Sequence, residues 1–384
     1  MPRPPDVTAT VAAMPGSVYS PRAGRNDAAR ERACPLNVGD TWLQPFEGGR
    51  MEDLSAKDHP ELNRYTSTRG IPPLIDAIVE KVRDRNGLTC ERESVMVTAG
   101  ATSGLSCAVG MLAAAGEEVL ILAPFWPLIR GITQTFRAKP VEVPFYDRVD
   151  SAEAAVEAVR EHLSPKSVAL YVSTPSNPTG RVIPEDWLCA LAELAHRENL
   201  WLLSDEVYED YLYTGRHVSL GRFAPERTLS VYSFSKAYGM AGNRTGYLVG
   251  PPEAIAQAEK IGTYSFYSAP TAGQVAGLRA LRDGQPWVDR ARESYRSAGA
   301  AAAAELGLPA PQGSTFLFVD ATAAIDERGI EGLLADCLED GVAVAPGASC
   351  GRDYANWLRL CYTSAPPAEV EEAISKLAKR LAAR

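Results

Sequence analysis

The sequence predicts an α/β fold, with a mostly parallel sheet between helices and a smaller α/β unit after it. From Gly70 onward, short runs rich in Val, Ile and Leu alternate with segments of helical period, as in a sheet covered on both faces. Most of these runs stop at a polar or glycine-containing turn, and 384 residues suffice for one large domain with a companion.

The strand candidates are Val95 to Thr98, Glu118 to Leu122, Val168 to Ser173, Leu200 to Ser204, Thr228 to Tyr232 and Gly246 to Val249. Helical period covers Ile71 to Arg85, Thr102 to Ala115, Ser151 to His162 and Pro184 to Glu198, then one long segment from about Thr271 to Leu306 that would bridge two domains. The alanine run near its end reads as helix propensity. Beyond it, "STFLFVDA", "GVAVAPG" and "WLRLCYT" read as strands and Pro367 to Arg384 as an amphipathic helix, which together make the smaller lobe. The resulting division is an N-terminal arm at 1–33, a small domain from 34–45 and 290–384, and a large domain at 46–289.

Charge and composition narrow the partners. A net charge of -9 without a basic block argues against nucleic acid and against an anionic membrane surface, which leaves small molecules. Met1 to Gly16 lacks the pattern of a secretory leader and no apolar run is long enough to span a bilayer, so a cytoplasmic protein is expected. The seven cysteines are scattered and never spaced as CxxC; they read as reduced core residues, with neither disulfides nor a metal site.

In an open parallel sheet, ligands bind beyond the carboxyl ends of the strands, so the residues just after each apolar run carry the information. "AGATSG" places Gly100, Ala101 and Thr102 at a helix start, whose N–H groups suit a phosphate as well as close packing. "APFWPL" offers Trp126 as a ring to stack on a planar ligand or as an ordinary core aromatic. "STPSNPTG" is turn-rich and offers the Asn177 amide, and "SDEVYEDY" offers Asp205 and Tyr208 or simply a solvated acidic face. "SFSKAYGMAGNRTG" sets Lys236 beside Ser233, Ser235 and Arg244. A desolvated lysine near other cations can condense with a carbonyl. What links these residues is complementarity. Gly100, Ala101, Thr102, Ser233, Ser235 and Arg244 suit a phosphate, Asp205 a pyridinium nitrogen, Tyr208 and Asn177 a phenolate oxygen, and Trp126 a ring face. That combination describes pyridoxal 5'-phosphate.

"SFSKAYGMAGNRTGY", "STPSNPTG" and "SDEVYEDY", in this order and spacing, resemble the class I/II aminotransferases of the aspartate aminotransferase fold, fold type I of the pyridoxal-phosphate (PLP) enzymes. The resemblance runs from Leu36 onward and includes "LNVGDTWLQPF", "RYTSTRGIPPLIDAI", "VAPGASCG" and "NWLRLCYT". It implies a large domain with a mostly parallel seven-stranded sheet, plus a smaller α/β domain. It also implies that Lys236 holds the cofactor as a Schiff base, that Asp205, Tyr208, Asn177 and Trp126 hold its ring, and that Ala101, Thr102, Ser233, Ser235 and Arg244 hold its phosphate. Tyr65 would reach that phosphate from the other subunit of a homodimer. Arg359 would clamp the substrate α-carboxylate, Gly39 would let backbone approach the substrate, and the Asn177–Pro178 bond would be cis.

The same resemblance implies a PLP-dependent aminotransferase that moves an amino group from an α-amino acid to a 2-oxo acid by a ping-pong scheme. Where dicarboxylate-specific relatives carry an arginine this chain has Tyr264, and Asp40, Thr41 and Trp42 replace the family's "PDF". Tyr264 and Trp42, with Tyr267, hint at an apolar or aromatic substrate side chain. A β-lyase or another amino-acid-modifying reaction is the alternative on the same cofactor, because the pocket chooses the bond that breaks. A non-catalytic PLP-sensing regulator would need a DNA-binding module ahead of the fold, and the stretch before Cys34 is too short and unpatterned for one. Arg359 speaks against a sugar substrate.

Overall fold

In the computed structural model, which describes residues 7–16 and 32–382, one sheet gathers the apolar runs between Val95 and Val249. Its strands are Val95–Thr98 (β1), Glu118–Ala123 (β2), Lys139–Pro144 (β3), Ser167–Ser173 (β4), Trp201–Asp205 (β5), Thr228–Ser233 (β6) and Gly246–Val249 (β7). They lie in the order β1-β7-β6-β5-β4-β2-β3, with β7 antiparallel to both neighbours and the other pairs parallel. Side chains of successive residues face opposite layers and both layers are covered, so each interior strand reads as an unbroken apolar run. One layer buries Ile121, Leu203, Val231 and Leu248, and the other Leu120, Leu170, Val172 and Leu202.

The edge strand β3 has no counterpart among the runs read from sequence. Its "KPVEVP" carries two prolines and buries only Val143, a composition that an edge tolerates and an interior strand does not.

The helices that cover the sheet are, after a short first helix at Ala9–Ala12 (α1), Pro72–Asp84 (α2), Ala101–Leu112 (α3), Leu128–Thr135 (α4), Ala152–Arg160 (α5), Glu185–Arg197 (α6), the single turn Phe234–Ala237 (α7) and Pro252–Ser265 (α8). The expected arm at 1–33 is described only at 7–16, 32 and 33; its other residues lie outside the described ones.

The single long helix expected from Thr271 to Leu306 is two helices, Thr271–Asp283 (α9) and Gln285–Glu305 (α10). Gly284 separates them and Pro286 occupies the first turn of α10, where its missing N–H leaves no bond unmade. A second, antiparallel sheet of Phe316–Asp320 (β8), Ala345–Pro346 (β9) and Trp357–Cys361 (β10) follows in the order β8-β10-β9. Gly329–Glu339 (α11) and Pro367–Ala382 (α12) complete this part. The segment after Ala33 joins it, with Cys34 bridging Val342 and Leu36 O accepting from Cys361 N at 2.7 Å. All seven cysteines are free thiols, and among the described residues no helix is long and apolar enough to cross a membrane.

One buried network fixes the turn after β5. Glu206 accepts from Ser204, Ser219 and Ser230 hydroxyls at 2.8, 2.7 and 3.1 Å, from Tyr232 OH at 3.1 Å, and pairs with His217 Nε2 at 2.9 Å. Burial opposes its ionisation, yet the His217 bond and charge and these hydroxyls hold its carboxyl below the usual range. Glu209 takes Lys81 Nζ and Asn86 Nδ2, and Lys81 lies 4.4 Å from the Tyr232 ring centre. Lys81→Met leaves the Glu209 carboxylate buried without its cation, and we expect it to lower unfolding free energy by about 3–5 kcal/mol. Urea denaturation of the two proteins measures the difference.

Candidate active site

The carboxyl ends of β4, β5 and β6 face the start of α3 across a cavity of about 260 Å³. Of the residues singled out in the sequence, Gly39, Ala101, Thr102, Trp126, Asn177 and Asp205 line it, as do Tyr208, Ser233, Ser235, Lys236, Arg244 and Arg359. Gly100 caps α3 just behind. Tyr65, Trp42 and Tyr264 do not line the cavity of the single chain; they are 89%, 38% and 93% exposed. The Asn177–Pro178 bond is cis, as are Ala123–Pro124 and Thr174–Pro175.

One end of the cavity is built for an anion. No side chain caps α3, so the first-turn N–H groups of Ala101 and Thr102 have no intrahelical partners. Arg244 reaches the same place from a left-handed backbone conformation (φ 51°), its Nη1 steadied by Ala241 O at 2.8 Å. Two glycines permit this approach. A Cβ on Gly100, itself at φ 79°, would lie 2.4 Å from Arg244 Nη2, and one on Gly246 would meet Tyr232 O at 2.7 Å and Ala101 N at 2.8 Å. Ser233 Oγ accepts from Ser235 N at 3.1 Å and so opens α7, which carries Lys236.

At the middle of the cavity, Asp205 is fully buried at the end of β5. Burial raises its pKa to about 6, against the opposing hydrogen bonds of Tyr171 OH (2.5 Å) and Val207 N (3.3 Å). A buried carboxylate of this kind has room for a cationic N–H. Tyr208 packs edge-on to the Phe316 ring at 5.9 Å, and burial pushes its phenol far above the ordinary range, so it stays a donor. Lys236 Nζ donates to Gly39 O. Burial lowers its pKa, and the Arg359 and Arg244 charges lower it further against Cys361 and Asp40, which favours the neutral amine that a nucleophile requires.

The other end holds Arg359, 2% exposed, in mid β10. Its Nη2 donates to Asn37 O at 2.9 Å and its Nη1 to Asn177 Oδ1 at 3.3 Å, with the guanidinium 4.7 Å from the Phe316 ring centre. The residues present therefore fit pyridoxal phosphate: an anion cradle that a Cβ would fill, a buried carboxylate and a desolvated amine share one cavity.

Sequence reasoning misses Val38, Leu105, Val207, Ala241 and Phe316, which also line the cavity, and Tyr171 beneath it. Phe316 opens a strand that its apolar run reveals, but the run does not say what the side chain faces. Tyr171 carries a signal of its own, a phenol inside an apolar run that needs a hydrogen-bond partner.

The family model "Aminotransferase class I and II" matches residues 34–377. The chain belongs to that family. An aspartate/prephenate aminotransferase of Thermus thermophilus is 37% identical to this aminotransferase over 334 residues, which are 83% of this chain and 82% of the relative. An arginine–pyruvate transaminase of Pseudomonas aeruginosa is 32% identical over 344 residues, 86% of this chain and 85% of the relative. The solved structure of aspartate aminotransferase from Thermus thermophilus with maleate superposes with a TM-score of 0.87 at 30% identity, covering 98% of this chain and 100% of that one. The aminotransferase is thus a fold type I enzyme that uses pyridoxal phosphate and acts on amino and oxo acids.

Asp205 makes a stability cost visible in this aminotransferase. Its folded pKa stands above its ordinary 3.8, so the folded chain binds the proton more tightly; the cost is absent below about pH 4 and complete above about pH 6. We expect cofactor-free Asp205→Asn to be more stable than the wild type at pH 8, by up to about 3 kcal/mol, with the gap closing toward pH 4. Urea unfolding across that range measures it; a gap that does not change with pH would contradict it.

Proposed function

We propose that this aminotransferase moves the amino group of an α-amino acid bearing an apolar or aromatic side chain to a 2-oxo acid. The observation that carries the proposal is the meeting of Lys236, Asp205 and Arg359, from three separate elements, in one largely buried cavity. Bound pyridoxal phosphate supplies an aldehyde and a ring that accepts the electrons of the bond broken at the substrate Cα.

The chain does the rest. Ala101, Thr102, Ser233, Ser235 and Arg244 hold the phosphate with N–H groups, hydroxyls and a cation. Asp205 pairs with the ring nitrogen and keeps it protonated. Tyr208 and Asn177 donate to the ring oxygen, and Trp126 covers a ring face. Arg359 takes the substrate α-carboxylate with its planar fork, for which lysine is a poor substitute. Lys236 Nζ, which donates to Gly39 O in the chain alone, would bind the cofactor's aldehyde and would be the base for the proton at the substrate Cα. The arrangement serves donor and acceptor in turn, which gives ping-pong kinetics.

Substrate choice rests on what surrounds Arg359. The relatives' names differ in the amino acid they give, aspartate in one and arginine in another, so the family alone does not set it. Here Val38 and Phe316 are apolar walls, and the cavity's cations, Lys236, Arg244 and Arg359, are all engaged in the roles above. No further cation faces a second carboxylate from the described residues of one chain. Loaded protein mixed with single amino acids should convert its bound cofactor to the amine form at least about tenfold faster with phenylalanine or leucine than with aspartate. Lys236→Ala should lose turnover and the cofactor's visible absorbance. Faster conversion with aspartate would overturn the donor reading, and release of ammonia with pyruvate would replace transfer by elimination.

We propose further that the enzyme works as a homodimer in which Tyr65, almost fully exposed on the single chain and edge-on to Tyr267 at 5.1 Å, reaches the partner's phosphate site. Tyr65→Phe should weaken cofactor binding roughly tenfold without altering the unfolding midpoint. Unchanged affinity, or an active monomer in sedimentation, would refute this arrangement.

A further inference from the structure

Tyr171 is a polar residue where the sheet offers it little to bond. It lies in mid β4, fully buried, in a layer with Leu105, Ile121, Leu203 and Val231. The β4–β5 register sets Tyr171 opposite Leu203 and Ser173 opposite Asp205. Side chains two apart share a face, so the ring can lean along the strands toward Asp205. Its hydroxyl donates to Asp205 Oδ2 at 2.5 Å, in the range of a charge-assisted bond.

The two carboxylate oxygens are therefore unequal. Oδ2 is committed to the phenol, whereas Oδ1 receives only the longer 3.3 Å bond from Val207 N. Among the described residues, Tyr171 is the one side chain hydrogen-bonded to Asp205. The cations Lys236, Arg244 and Arg359 share its cavity. Glu206 next in sequence repels it, and Tyr146 and Tyr208 are phenols that burial keeps neutral.

We infer that Tyr171 is a positioning residue for the transfer reaction: its hydroxyl pins Asp205 Oδ2, holds the carboxylate ionised, and leaves Oδ1 to pair with the ring nitrogen of bound pyridoxal phosphate. This rests on the role proposed above for Asp205. A core tyrosine serving only as packing would be matched by phenylalanine, which has the same ring and lacks the donor. The hydrogen bond makes a different demand, because removing a donor from a buried charge shifts that charge toward its protonated form.

The experiment measures cofactor affinity of the full chain from pH 5 to 9, by absorbance of the bound cofactor, for wild type, Tyr171→Phe, Asp205→Asn and the double variant. Tyr171→Phe should bind pyridoxal phosphate roughly tenfold more weakly, with its acid-side loss of binding displaced to higher pH, while its urea midpoint shows the fold intact. In the Asp205→Asn background the same change should add little, since Tyr171 acts through that carboxylate. Fluorotyrosine at 171, a stronger donor of the same shape, should displace the profile to lower pH. An unchanged affinity and pH profile in Tyr171→Phe, beside a loss in Asp205→Asn, would overturn the inference alone, and so would a full additive loss in the double variant. An Asp205→Asn protein that binds as tightly as wild type would instead overturn the Asp205 pairing and the inference with it.

Discussion

The Asp205 carboxylate lies out of solvent between β4 and β6, where burial raises its pKa and the hydrogen bonds of Tyr171 and Val207 oppose the rise. Tyr171 bonds it from within the sheet, and the turn after β5 is held by a separate set of buried partners. Residues of this turn face two ways. Asp205 and Tyr208 line the cavity, while Glu206 and Glu209 enter the network of His217, Lys81 and Asn86. Each buried charge in the second set has a partner, and the cost of ordering the turn is met there, away from the chemistry.

Sheet topology decides which residues can meet the carboxylate. Parallel strands β4 and β5 end level and β6 runs two residues further, so the residues at these ends converge, and α3 supplies first-turn N–H groups from the same edge. The antiparallel strand β7 starts where these end. Its first residue is Gly246, and only a residue without Cβ fits between Tyr232 O and Ala101 N. The anion end of the cavity is therefore set by backbone against backbone, whereas the substrate end is made of side chains from the second sheet and the segment before it.

That contrast explains which features are legible in the sequence. The interior strands are legible because burial on both faces writes itself as an apolar run, and the residues after them are legible because an open sheet puts its ligand there. β3 escapes as a proline-bearing edge, whereas the break at Gly284 carries a signal, a glycine with Pro286 two residues on, inside a segment whose helical period continues on both sides. The helices α4, α8 and α11 are also not foreseen. Phe316 and Val38 escape because they reach the cavity from outside the main sheet, and Tyr171 because it lies inside a strand instead of after one. Trp42 and Tyr264 stand out only by position relative to a family pattern, and neither faces the cavity of the single chain.

Arg359 Nη2 bonds Asn37 O across 322 positions of sequence, and Phe316 lies beneath the same guanidinium. In a chain made from its N-terminus every lining residue of the proposed cofactor end precedes Val249, yet the proposed clamp for a substrate carboxylate comes only with β8 and β10. The residues that suit the cofactor thus precede, in order of synthesis, those that suit the amino acid.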